Sequence, residues 1–109
     1  LNQRLQACYQ AILLDDSGQN PSPLFRNSAK ADKAAGVNYY SQPEELCARA
    51  FEAFIQDAAV KNAFLVKGTK ESEEARLGLY PQGEQRDRIN VAFRTYFHSL
   101  GRALLQKPA

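Results

Sequence analysis

The chain has 109 residues, 24% of them charged and 44% hydrophobic. That is enough for one apolar core and too little for two, and the balance excludes wholesale disorder. Fourteen basic against twelve acidic side chains leave a formal charge of +2, far from the strongly basic character of a dedicated nucleic-acid binder.

The opening stretch LNQRLQACYQAILL places Leu5, Cys8, Tyr9, Ile12 and Leu13 at the three-and-four spacing of one helix face, predicting a first helix over about 2–14. Asp15-Asp16-Ser17-Gly18 ends it, and Pro21 and Pro23 in the next few residues predict a loop. Within that loop Ser28 is positioned to cap a short helix over Ala29–Ala35, closed by Gly36 in the left-handed conformation. The best-signalled element is SQPEELCARAFEAFIQDAA: Ser41 and Glu44 have the spacing of a capping box and Pro43 lies in the first turn. Its apolar stripe runs Leu46, Cys47, Ala50, Phe51, Phe54, Ile55 and Ala58, with Phe51 and Phe54 the first candidates for the core. Two short apolar runs, 63–66 and 77–80, flank the polar KGTKESEEAR and predict either a small β-hairpin or an extended loop. Pro81-Gln82-Gly83 makes a turn, and Ile89, Phe93, Tyr96, Phe97, Leu100 and Leu104 predict a final helix over about 84–106. The expected fold is one mainly α domain over 1–109, with three to four helices and a short two-stranded hairpin as an optional addition.

Catalytic chemistry finds little support. His98 is the single histidine and no HExxH surrounds it, so a complete zinc-peptidase site is not expected. Lys67-Gly68-Thr69-Lys70 lacks the second glycine and the strand-to-helix setting of a phosphate loop. Cys8 and Cys47 each fall in an apolar helical pattern and read as packed free thiols. No apolar run approaches the roughly eighteen residues that cross a bilayer, and no charged-then-apolar leader is visible, so a cytoplasmic chain with no membrane partner is expected. A leucine at position 1 fits a fragment or a processed product.

Two constellations remain. Glu45, Arg49 and Glu52 recur at helical spacing on one face, where a solvated salt-bridge ladder is the bland reading and a polar row facing a cleft the sharper one. Arg86, Arg88, Arg94 and Arg102 on the last helix could reach phosphates, although Glu84, Asp87 and the apolar stripe favour an ordinary amphipathic helix.

Several segments together, Phe25 with Ser28 and Asp32, then YYSQPEELCARAFEAF (39–54), NAFLV (62–66) and YPQGEQRDRINVAF (80–93), resemble the first of the large polyvalent protein-associated domains, over about 23–107. The family tends to have tryptophan where this chain has Tyr40 and phenylalanine where it has Cys47. The resemblance implies an accessory module of phage, prophage or conjugative-element proteins, whose parent assemblies travel with invading DNA and counter host defences. It implies as partners a protein or the other domains of a larger polyvalent protein, with Glu45, Arg49, Glu52, Tyr39 and Tyr40 as the polar binding surface. ELCARAFEAF is also similar to the carboxylate-bearing helix of gluzincin-like peptidases, which makes Glu45 a weak candidate zinc ligand. The expected function is therefore non-catalytic protein binding without a cofactor. The alternatives are a divergent metallopeptidase-like domain, with zinc, completed by sequence outside the chain, and a DNA-contacting module.

Overall fold

A computed structural model describes residues 2–58 and 72–106. Among these described residues five helices follow in order: α1 (Asn2–Leu13), α2 (Pro23–Ala35), α3 (Pro43–Ala58), α4 (Glu73–Arg76) and α5 (Gly83–Gln106). Helix α5 is the spine. Helix α1 runs antiparallel along one side of it, with Ala11 beside Gln85 and Arg4 beside His98. Helix α3 runs antiparallel along another, with Asp57 beside Arg86 and Phe51 beside Phe97. The apolar residues enclosed between them are Cys8 and Ile12 of α1, Leu24 of α2, Leu46, Ala50 and Phe54 of α3, and Ile89 and Phe93 of α5. Each large side chain fully removed from water contributes about 1.5–3 kcal/mol, and Ile12, Leu24, Leu46 and Ile89 are essentially inaccessible.

The α1–α2 corner shows how the helix ends are satisfied, since the last carbonyls of one helix and the first N–H groups of the next need partners when buried. The Ser22 hydroxyl donates to the Ile12 carbonyl (2.6 Å) and accepts from Phe25 N (3.1 Å), capping α2 while closing α1. Gln85, only 4% exposed, reaches across from α5. Its Nε2 donates to the Ala11 and Ile12 carbonyls (3.1 and 3.2 Å) and its Oε1 accepts from Leu24 N (3.0 Å). Pro23 occupies the first helical position, where its missing N–H costs nothing. Helix α2 ends as expected at Gly36 (φ 69°), with Val37 N donating to the Asp32 carbonyl and Gly36 N to that of Lys33.

Several expectations are corrected. Helix α2 starts at Pro23 under a Ser22 cap, and Ser28 is a buried residue of its interior. Its inward line is Leu24, Ser28 and Asp32, too polar to register as an apolar stripe. The Ser41 hydroxyl donates to the Asp32 carboxylate (2.6 Å), and the Gln42 carbonyl accepts the first bonds of α3, so Ser41 does not cap that helix. Phe51 is 40% exposed; the buried line of α3 is Leu46, Ala50, Ala53 and Phe54, one position round from the stripe read along the sequence. Residues 77–80 form no strand. They follow the short helix α4, which Ser72 caps, and Gly78 (φ 76°) turns the chain with Gly78 N and Leu79 N donating to the Ala75 and Glu74 carbonyls. The expected partner strand, 63–66, lies outside the described residues. Helices α1 and α5 agree with expectation to within one residue.

Candidate functional site

The five residues singled out on α3 and the approach to it divide into an internal brace and an outer surface. Arg49 is the brace. Its Nε donates to the Leu79 carbonyl (2.6 Å), and Nη2 to the Ser28 hydroxyl (2.9 Å) and the Tyr40 carbonyl (2.6 Å). One half-buried guanidinium thereby ties α3 to α2, to the segment before α3 and to the turn after α4. It also lies 5.5 Å from the centroid of the Tyr40 ring, within cation–π range. Burial lowers the Arg49 pKa, an effect opposed first by the negative charge of Glu45. The expected salt-bridge ladder does not form, because the guanidinium is turned inward onto neutral acceptors rather than outward to Glu45 and Glu52.

Asp32, which the binding-surface reading omitted, holds the segment before α3 from the other side. One carboxylate oxygen accepts from Tyr39 N (3.2 Å) and Tyr40 N (2.7 Å), the other from Ser41 N (2.9 Å) and the Ser41 hydroxyl. Burial alone would raise the carboxyl, but the hydrogen bonds from Ser41, Tyr40 and Tyr39 together outweigh it and hold the pKa at about 2. The Tyr39-Tyr40 approach is thus fixed by an acceptor on one helix and a donor on another. A sequence signal existed in the spacing of Ser28 and Asp32, one turn apart on a helix, but only a helix beginning at Pro23 makes it visible.

The outer surface is what this brace presents. Tyr39 is 51% exposed and its ring meets that of Tyr40 edge-on at 5.1 Å. Interaction with the Glu45 carboxylate, through hydrogen bonding and then charge, raises the Tyr39 hydroxyl pKa. Two turns further along α3, exposed Glu52 accepts from the Tyr80 hydroxyl (2.9 Å). Burial, that hydrogen bond and the charge of Glu52 push the Tyr80 pKa up to about 12. Both carboxylates therefore face neutral phenols and retain acceptor capacity toward solvent. Among the described residues no three His, Cys, Asp or Glu side chains converge as a metal site would require. Cys8 and Cys47 are free thiols whose pKa values burial pushes up, and Cys47 packs against the core from its edge.

The arginines of α5 also separate. Arg86 is 6% exposed and grips the Asp57 carboxylate in a fork, Nε to Oδ2 at 2.8 Å and Nη2 to Oδ1 at 3.0 Å, with the Pro81 carbonyl accepting from Nη1. Asn90 Nδ2 donates to the same carboxylate (2.7 Å). Arg86 is consequently corrected from a candidate phosphate contact to a buried link between α3 and α5. Arg88 is half-buried and Arg94 and Arg102 are exposed, and the three border clefts lined by residues of α1 and α5.

With the geometry in place, comparison with known families shows that residues 31–104 match the model for large polyvalent protein-associated domain 1. The chain belongs to this family. The matched region takes in Asp32, the Tyr39-Tyr40 approach, Arg49 and Arg86 of this LPD1 domain. No curated protein and no solved structure matches the chain. Membership associates the domain with large polyvalent proteins, and among the described residues no helix is long and apolar enough to cross a membrane.

Proposed function

We propose that this LPD1 domain is a non-catalytic accessory module of a larger polyvalent protein from a phage, prophage or conjugative element. On this reading it works in the cytoplasm through protein contacts, in the service of countering host defence. Its contact surface is Tyr39, Glu45, Glu52 and Tyr80, with Arg49 and Tyr40 positioning them from within. The observation that supports this most directly is the bracing. A half-exposed tyrosine and two carboxylates stand on backbone held by Asp32 and Arg49, so they can engage a partner without losing much conformational freedom. Tyrosine at the centre of a polar rim is the composition of interface hot spots, and the two carboxylates select a partner segment bearing arginine or lysine.

The test uses the domain and the remainder of its parent protein as separate chains, with binding followed by calorimetry. Micromolar association weakened at least tenfold by Tyr39→Ala or by Glu45→Ala/Glu52→Ala, at unchanged melting temperature, is the expected result. Variants that alter stability and leave association untouched would show these residues to be structural and overturn the assignment.

A further inference from the structure

A second face of the molecule is built from α1 and α5. Helix α1 contains no aspartate or glutamate, and α5 contains none after Asp87. Those two stretches hold Arg4, Arg88, Arg94 and Arg102, four positive charges in a chain whose formal total is +2, so the remainder is net negative. Folding brings the four together along the groove between the antiparallel helices. Arg4 and Arg88 border its first part, and Arg4, Arg94, His98 and Arg102 its continuation, with Thr95 shared by both. No acidic side chain lines either part.

The contrast with the other two arginines described above is informative. Arg49 and Arg86 are satisfied by carbonyls, a hydroxyl and a carboxylate. Among the described residues, Arg4, Arg88, Arg94 and Arg102 have neither hydrogen bond nor ion pair. The groove between α1 and α5 therefore holds four cations and no carboxylate, with Asp57 near Arg94 alone, in the adjoining cavity between α3 and α5, and a polyanion relieves the self-repulsion of the four.

We infer that the α1–α5 groove binds the phosphodiester backbone of a nucleic acid through Arg4, Arg88, Arg94 and Arg102. Three features select phosphate over other anions. All four cations are arginine, whose planar fork pairs bidentately with phosphate oxygens. The surface is a trough with the polar Thr95 and Ser99 along it, a shape that accepts a strand more readily than a flat bilayer. Arg88 and Arg102 stand fourteen residues apart, about 21 Å along the helix, the axial span of roughly six phosphates on one strand of a duplex. Four arginines directed at the backbone make the dominant binding term independent of sequence, and neither Tyr39 nor Glu45, Glu52 or Tyr80 lines the groove.

The experiment titrates the 109-residue chain into fluorescein-labelled 20-nucleotide DNA, single-stranded and duplex, from 50 to 200 mM NaCl, following anisotropy. The inference expects micromolar affinity at 50 mM, falling roughly 100-fold by 200 mM, with a log–log slope of about −3 to −4 for four phosphate contacts. Arg88→Gln/Arg102→Gln should reduce that slope by about 2, whereas Lys30→Gln/Lys33→Gln on α2, an equal change of net charge, should leave it unchanged. The two DNA forms distinguish which source of phosphodiester is preferred. Absence of binding at 50 mM, equal loss in both double variants, or tighter binding to polyglutamate or to phosphatidylserine vesicles would overturn the assignment. Circular dichroism melting of each variant separates loss of the groove from loss of the fold.

Discussion

Replacing Arg49 by methionine removes the guanidinium while retaining an unbranched side chain, and three acceptors lose their donor. The Ser28 hydroxyl is fully buried and Leu79 is 1% exposed, so neither can recover the bond from water. The Tyr40 carbonyl lies in a partly exposed segment and can be rehydrated. Each sequestered polar group left unsatisfied costs about 1–3 kcal/mol, which for two such groups gives an expected loss of about 2–6 kcal/mol. That is a large share of the roughly 5–15 kcal/mol by which domains of this size are stable. A solvated ladder residue would instead cost about 0.2–1 kcal/mol, so the magnitude separates the two roles. Urea unfolding followed by circular dichroism, with Glu45→Gln and Glu52→Gln as comparators expected to lose under about 1 kcal/mol, gives the measurement. An Arg49→Met loss below about 1 kcal/mol, with the slope of the transition unchanged, would refute the bracing role of Arg49.

Other perturbations address the remaining links. Gly78→Ala places a Cβ on a residue with φ 76° and into the Asn27 side chain, for an expected loss of about 1–3 kcal/mol by thermal melting; adding Asn27→Ala should relieve the collision and leave the backbone cost. Asp57→Ala leaves the Arg86 guanidinium buried without its carboxylate, an expected loss of about 2–4 kcal/mol, discounted because Asp57 is partly solvated; urea unfolding of the variant should show it. Asp32 is held down from 3.8 to about 2 in the folded state. Its stabilisation is complete above the unfolded value and is lost as pH falls through the folded one. The urea midpoint should therefore drop between about pH 4 and pH 2 in the wild type, and Asp32→Asn should lack that component of the drop. Phe54→Ala should cost about 3–5 kcal/mol and Phe51→Ala markedly less, since Phe54 is 8% and Phe51 40% exposed; equal losses would place Phe51 in the core after all.

Residue order by itself determined the helices whose apolar periodicity is unbroken. In α1 and α5 the residues that recur every three to four positions include those that end up buried, Cys8 with Ile12 and Ile89 with Phe93, so periodicity and burial coincide. The turn at Gly36 was equally legible, because a left-handed conformation asks for glycine whatever surrounds it. The family was legible too, since it is carried by several short segments in fixed order. Tertiary structure decided what periodicity cannot express. Helix α2 buries serine and aspartate because Arg49 and the backbone before α3 supply their hydrogen bonds from other parts of the chain. Arg49 and Arg86 look along the sequence like surface arginines of amphipathic helices, yet each is drawn inward by acceptors about thirty residues away in the chain. Arg4 joins Arg94 and Arg102 only once α1 lies antiparallel on α5. A polar side chain is internal or external according to whether distant groups satisfy it, and that is a property of the folded chain alone.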